Sequence, residues 1–162
     1  MWGRKAKVMA AAGEQAPAFQ LKSLKGGDQS LQKILSQGPA LLAFYKIGCP
    51  VCQLTAPYLE RLSASRKLQI VGVSQDDGDS TRSFNQRFGV TFPTLLDEAA
   101  AGYPASNGYG VSSVPSLFVV ETDGRISKSF SGFSKQDLEE VGERAGVAPF
   151  GPEDRVPEFK AG

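Results

Sequence analysis

The sequence predicts an α/β domain in which a central mixed β-sheet is flanked by helices. Two apolar runs, residues 40–45 and 68–74, lack the alternation of a half-exposed strand, which is typical of strands buried on both faces. A segment with apolar residues at helical spacing follows each run. A Thr-Asp-Gly turn at residues 122–124 then separates two further strands and indicates an antiparallel hairpin. Parallel and antiparallel strands in this order predict a mixed sheet.

An N-terminal β-hairpin precedes this core. A Gly-Gly-Asp turn at residues 26–28 separates two short strand-like segments. Ser30 is placed to cap a short helix that runs to residue 37. Later in the chain, a short strand at residues 94–96 and a small-residue helix within residues 99–109 predict an inserted βα unit.

We expect a single domain at residues 17–147, because 162 residues are enough for one sizeable core and the chain shows no internal repeat. Its last helix is predicted to end at Gly146, a residue type that favours helix ends. Residues 1–16 are rich in Ala, Gly and Lys without periodicity, and we predict a flexible arm. Residues 148–162 carry three prolines and few apolar side chains, which predicts an extended tail.

The composition excludes several classes of function. Lys plus Arg is 18 and Asp plus Glu is 17, so the net charge of +1 predicts no nucleic-acid partner and no anionic membrane partner. The chain has no histidine, which excludes Ser-His-Asp and Cys-His catalysis. No apolar run approaches the roughly 20 residues of a membrane span. We therefore expect a monomer in the cytoplasm for the chain as written, or in the periplasm if a native signal or anchor is missing from it.

Both cysteines of the chain lie in one motif, Cys49-Pro50-Val51-Cys52, at a predicted turn from strand to helix. Unpaired N–H groups and the helix dipole at such a turn stabilise a thiolate, so Cys49 is predicted to be the attacking nucleophile. Cys52 lies one helical turn further along and is predicted to be the more buried, resolving thiol. Pro50 suits an early helical position because its missing N–H costs little there. The motif therefore predicts a dithiol/disulfide redox centre.

Two other interpretations of the cysteine pair stay open at this point. A Cys-x-x-Cys pair is half of a zinc site, but the chain has no histidine and no further cysteine. Four ligands would then require a dimer or carboxylates, so we expect no metal and no cofactor. The pair could also be two buried structural thiols, because free cysteine often serves as a small core residue.

The nine residues 44–52, Phe-Tyr-Lys-Ile-Gly-Cys-Pro-Val-Cys, resemble the active-site turn of the thioredoxin-like fold. Within that fold the resemblance is to TlpA/ResA-type thiol-disulfide oxidoreductases, which are grouped with the redoxin and AhpC/TSA proteins. A second segment, Val114-Pro115 followed by the apolar run 117–120, resembles the family's loop before a cis-proline and the next strand. The likeness extends from about residue 17 to residue 147.

The resemblance implies that Pro115 is cis and packs beside the two sulfurs, and that the backbone of Val114 pairs with an extended substrate segment. Gly48 and Pro50 are the candidate substrate-contacting residues on either side of Cys49. Many relatives carry an aromatic residue where this chain has Gly48, so we expect a more open site.

A second departure concerns the proton acceptor for Cys52. Relatives of the ResA type carry a glutamate where this chain has Thr55, so no carboxylate is assigned to that role. Asp76 and Asp77 follow a strand end, and we expect them to form a solvated turn.

Three functions compete on these observations. The leading hypothesis is a thiol-disulfide oxidoreductase that acts on protein or small-molecule disulfides and is recycled by an unidentified reductant or oxidant protein. The alternative is a peroxiredoxin-like peroxidase with Cys49 peroxidatic and Cys52 resolving, although the proline and threonine that such enzymes place ahead of the reactive cysteine are missing. The third is a non-catalytic thioredoxin-like binding module.

Overall fold

Within residues 8–162, which a computed structural model describes, the chain forms a seven-stranded mixed sheet and a small two-stranded sheet. The strands are β1 (Gln20–Ser23), β2 (Asp28–Ser30), β3 (Ala40–Tyr45), β4 (Gln69–Ser74), β5 (Thr94–Leu96), β6 (Ser116–Val120), β7 (Ile126–Ser131), β8 (Phe133–Ser134) and β9 (Phe159–Lys160). The helices are α1 (Leu31–Leu35), α2 (Pro50–Leu62), α3 (Gly78–Phe88), α4 (Pro104–Gly108) and α5 (Lys135–Ala145), with a 3₁₀ turn at Ala99–Ala101.

The large sheet has the strand order β2-β1-β5-β4-β3-β6-β7. β3 and β4 pair in parallel, as do β4 and β5, whereas β6 and β7 continue the sheet antiparallel. At the opposite edge the β1–β2 hairpin joins β5 antiparallel. The predicted α/β class, with a central mixed sheet and an N-terminal hairpin, is therefore confirmed.

β3 is the centre of the core, and all six of its residues are buried. Its side chains alternate between the two faces of the sheet, as the pleat requires. Leu41 and Ala43 belong to the apolar cluster that includes side chains of α2 and α5. Phe44 faces the opposite side, where its ring packs against Tyr109 and Phe118 at centroid distances of 5.3 and 5.5 Å. Helices therefore cover β3 on both faces, which explains its unbroken apolar run.

The helix ends follow their local sequence signals. Ser30, Asp77 and Ser134 each accept a backbone N–H of the first helical turn, at 3.1, 2.8 and 3.1 Å respectively. α3 and α5 end at Gly89 and Gly146, both with a φ of 71°, the left-handed conformation that glycine adopts readily. No helix within residues 8–162 is long and apolar enough to cross a membrane.

Part of the predicted flexible arm is attached to the domain. Residues 1–7 lie outside the described residues, but residues 8–16 pack against the start of β7 and the segment that precedes β6. The backbone N–H of Ala10 donates to Tyr109 O at 2.9 Å, and Gly13 N donates to Ile126 O at 2.8 Å. Ala10 and Ala16 are buried. Residues 8–16 are held by backbone hydrogen bonds and small buried side chains. The prediction of a flexible arm relied on the absence of apolar periodicity, which does not detect contacts of this kind.

Residues 148–162, the predicted tail, pack against the domain. The Phe150 ring lies 4.9 Å from the Tyr58 ring, centroid to centroid. The Arg61 guanidinium pairs with the Asp154 carboxylate at 2.6 Å. β9 then pairs antiparallel with β8. The tail therefore folds with the domain through contacts that its proline-rich composition does not indicate.

Candidate active site

Cys49 is the N-cap residue of α2, at the turn that follows β3. Its Sγ accepts the backbone N–H of Cys52 at 3.1 Å, and Pro50 occupies the first helical position. A sulfur in this position faces the positive end of the helix dipole and an N–H donor, which suits it to carry a negative charge. Cys49 is half-buried, so a substrate sulfur can reach it from solvent.

Cys52 lies behind Cys49 and is only 2% exposed. Burial raises the pKa of the Cys52 thiol well above that of a free cysteine, and the hydrogen bond with Cys49 raises it further. Its surroundings include a small apolar cavity lined by Phe84, Phe92 and Pro115. Cys52 is therefore a neutral thiol in the reduced protein, one helical turn away from an accessible sulfur.

Val114 and Pro115 come from a loop 65 residues away in sequence and form one wall of the site. The peptide bond between them is cis. The Val114 carbonyl accepts a hydrogen bond from the Cys49 Sγ at 3.4 Å. Pro115 is buried, and its own carbonyl accepts the Gly132 N–H at 2.8 Å, which connects this wall to the turn between β7 and β8.

Gly48 and Pro50 flank Cys49 on the surface, and both are exposed. A Cβ atom built at Gly48 would meet no other atom within 4 Å. The side of the site at Gly48 is therefore open in this chain. The substrate-binding role of both residues stays a prediction.

Thr55 does not take the place of the missing glutamate. It is buried, and its Oγ1 donates to the carbonyl of Val51 at 2.7 Å, one turn back in α2. The hydroxyl is thus used by the helix backbone. A proton acceptor for Cys52 has to come from elsewhere.

Asp76 is the residue that sequence reasoning placed wrongly. Of the two expected turn carboxylates, Asp77 is exposed and caps α3, but Asp76 is half-buried and its Oδ2 accepts the Ile47 N–H at 2.8 Å. Ile47 O in turn accepts the Gln53 side-chain amide at 3.0 Å. Asp76 therefore holds the turn that carries Cys49, and its charge also contributes to the raised pKa of Cys52.

A signal for Asp76 does exist in the sequence. The residue directly follows β4, which is parallel to β3, and the carboxyl ends of adjacent parallel strands open at the same edge of a sheet, where ligands and functional groups gather. Applied to the predicted strand order, this rule would have brought Asp76 next to the cysteine turn.

A polar cleft borders the Val114 wall. Lys46, Gln75, Tyr103 and Asn107 line it together with the loop at residues 111–114.

Within residues 8–162, no three His, Cys, Asp or Glu side chains come together in a group that could hold a metal ion.

The comparisons with known proteins agree with this arrangement. A model of the AhpC/TSA family matches residues 12–129. The chain belongs to the AhpC/TSA family. Among its relatives in that group, thiol-disulfide oxidoreductase ResA of Halalkalibacterium halodurans is 30% identical over 139 residues, which cover 83% of this chain and 77% of that protein. The thioredoxin-like protein YneN of Bacillus subtilis is 30% identical over 135 residues, or 79% of this chain and 76% of that protein.

Solved structures show the same fold for this AhpC/TSA chain. The thioredoxin domain of a thiol-disulfide oxidoreductase from Bacteroides vulgatus has a TM-score of 0.73 at 24% identity, over 83% of this chain and 97% of that one. A putative thiol:disulfide interchange protein DsbE from Chlorobium tepidum has a TM-score of 0.72 at 21% identity, over 85% and 96%. The resemblance to the thioredoxin-like fold that the sequence indicated is thus confirmed.

Proposed function

We propose that this protein is a thiol-disulfide oxidoreductase in which Cys49 attacks and Cys52 resolves. The observation that carries the proposal is the asymmetry of the pair. Cys49 is half-exposed with its sulfur on a backbone N–H, whereas Cys52 is buried with a raised pKa. Membership of the AhpC/TSA family and 30% identity to a ResA enzyme support the same activity.

The reaction follows from these positions. The Cys49 thiolate attacks one sulfur of a substrate disulfide, the S–S bond breaks, and the other substrate sulfur leaves as a thiolate. Cys52 then gives its proton to the thiolate released in the first step or to water, and its sulfur attacks the Cys49 sulfur of the mixed disulfide. The second substrate thiolate leaves, so the substrate gains two electrons and the enzyme becomes the Cys49–Cys52 disulfide. The same steps in reverse oxidise a dithiol, and the redox partner decides the direction.

The Val114 carbonyl has a distinct part in this cycle. The carbonyl oxygen lies 3.4 Å from the Cys49 Sγ, where it can accept the S–H of a protonated thiol. When Cys49 ionises, that acceptor faces an anion and its interaction becomes unfavourable, while the Cys52 N–H becomes a charge-assisted donor.

We propose that Val114, Pro115, Gly48 and Pro50 contact the substrate, because they surround the exposed side of the sulfur.

A direct assay distinguishes this proposal from its competitors. The purified protein should reduce the disulfides of insulin in the presence of a dithiol, and should consume hydrogen peroxide slowly. Cys49→Ser should lose both activities, since the attacking sulfur is gone. Rapid peroxide turnover without disulfide exchange would instead indicate the peroxiredoxin-like alternative, and zinc bound at half a mole per chain would indicate a binding module.

The compartment is tested separately. A membrane-impermeant maleimide applied to intact cells that produce the native protein should label Cys49 if the chain works in the periplasm. Labelling only after lysis would instead support the cytoplasmic alternative.

A further inference from the structure

The C-terminal segment reaches the active site. After Phe150 and Asp154 attach the tail to Tyr58 and Arg61, the chain continues to β9 and ends beside Val114. Of these anchors, the ring contacts are apolar, and the ion pair joins a half-exposed Arg61 side chain to an Asp154 side chain that is only 17% exposed. We call residues 158–162 the strap.

The strap pairs with β8, next to the Gly132 turn that is hydrogen-bonded to the Pro115 carbonyl. In the β8–β9 pair, Lys160 is opposite Phe133, and Lys135 N donates to Glu158 O at 3.0 Å. A Cβ atom at Gly132 would lie 2.5 Å from the carbonyl oxygen of Lys160. Glycine at position 132, which also has a φ of 77°, is therefore what allows the strap to approach this closely.

The end of the strap touches the backbone that faces Cys49. A Cβ atom at Gly162 would overlap with the carbonyl oxygen of Val114 and lie 3.3 Å from the Cδ of Pro115. That carbonyl is the one that accepts from the Cys49 Sγ. The strap thus fits against the proposed substrate-contacting loop only because its last residue has no side chain.

We propose that the strap occupies the docking surface of a polypeptide substrate, formed by Val114, Pro115 and β8, and that a substrate must displace it. This inference rests on the proposed function. The partner that fits is an extended polypeptide strand, because the strap holds its place by backbone pairing. The substrate strand also needs a small residue at the place of Gly162, because a Cβ atom there would overlap with the Val114 carbonyl oxygen.

Few interactions attach the strap to the domain, which is what a segment that a substrate displaces requires. β9 has two residues, and the Phe159 side chain is 57% exposed. The ion pair between Lys135 and Glu158 spans 3.7 Å, and the Glu158 side chain is 85% exposed, so it adds little. Segments with few buried contacts open at low free energy. Small disulfides that reach Cys49 without pairing to the backbone need no such opening.

Two full-length variants displace the strap in different ways. Lys160→Pro removes a backbone N–H from β9, and its matched control Lys160→Ala keeps that N–H while removing the same charge. Gly162→Val places a side chain where it would overlap with the Val114 carbonyl. Neither change touches the core, and loss of hydrogen-exchange protection at the Lys135 amide verifies that the strap has left.

The readout compares two substrates, insulin and the small aromatic disulfide 5,5′-dithiobis(2-nitrobenzoate). We expect both displacing variants to lower the KM for insulin by about three- to tenfold with kcat unchanged. In the wild type, molecules whose strap is in place cannot bind insulin, and the variants remove that state, so a larger fraction of the protein can bind. The rate with the aromatic disulfide should stay the same, and Lys160→Ala should behave as wild type. An unchanged or higher insulin KM after the Lys135 amide has lost protection would overturn the strap proposal. Failure of the wild type to react with either disulfide would overturn the proposed function itself.

Discussion

Removing the carboxylate of Asp76 should loosen the turn that carries Cys49. The Asp76 Oδ2 accepts the Ile47 N–H at 2.8 Å from a half-buried position. A hydrogen bond to a charged group contributes about 1.5–3 kcal/mol when buried, and partial exposure reduces this to about 1–2 kcal/mol. Asp76→Ala should therefore lower the Tm by about 3–6 °C.

The same change should slow catalysis, because the Cys49 sulfur is no longer held in one position. We expect the second-order rate of insulin reduction to fall by about three- to tenfold. Asp76→Asn keeps an oxygen acceptor for Ile47 and removes the charge, so the Tm should remain within about 1–2 °C of wild type. Differential scanning calorimetry and a stopped-flow exchange assay provide both quantities.

The neighbouring carboxylate provides a matched control. Asp77→Ala removes the N-cap of α3 and should also lower the Tm, but Asp77 makes no contact with the cysteine turn. Its exchange rate should match that of the wild type. Equal slowing in Asp77→Ala and Asp76→Ala would refute the reasoning, because the effect would then follow stability and not the position of the turn.

Three further predictions concern Cys52, Tyr109 and Gly48. Because burial raises the pKa of Cys52 above its unfolded value of about 9, the contribution of Cys52 to the free energy of unfolding should be constant between pH 7 and 8 and fall above pH 9, by up to about 1.4 kcal/mol per pH unit. Urea unfolding from pH 7 to 10 should show a shallower fall in Cys52→Ala. Tyr109→Phe should raise the free energy of unfolding by about 1 kcal/mol, because it removes a buried hydroxyl that has no hydrogen-bond partner within residues 8–162; calorimetry showing destabilisation would contradict this. Gly48→Trp should leave the Tm unchanged, since its Cβ has free space, and should slow alkylation of Cys49 by a bulky maleimide.

Local signals in the sequence were sufficient for most of the fold. The β3 run predicted an interior strand, because a strand covered on both faces is apolar without alternation, and β3 does lie inside the sheet between β4 and β6. Ser30 and Gly146 mark helix ends through side-chain and backbone chemistry that acts within one turn. The Cys49–Cys52 spacing likewise follows from the geometry of a single helical turn.

The contacts that the sequence did not reveal join distant segments. Asp76 reaches a turn 29 residues earlier, and Arg61 pairs with a carboxylate 93 residues later. Neither side chain belongs to a periodic pattern, so nothing local distinguishes it from a solvated charge. The packing of residues 8–16 and of the tail depends on backbone pairing, which is independent of side-chain type and leaves little trace in composition.

Trapping with the Cys52→Ser variant tests the central assignment most directly. Without the resolving thiol, the mixed disulfide between Cys49 and its substrate cannot be released by internal attack. Non-reducing electrophoresis and peptide mass spectrometry after reaction with insulin should find an adduct at Cys49 in Cys52→Ser and almost none at Cys52 in Cys49→Ser. An adduct that accumulates at Cys52 in Cys49→Ser, with none at Cys49 in the reciprocal variant, would contradict the assigned roles.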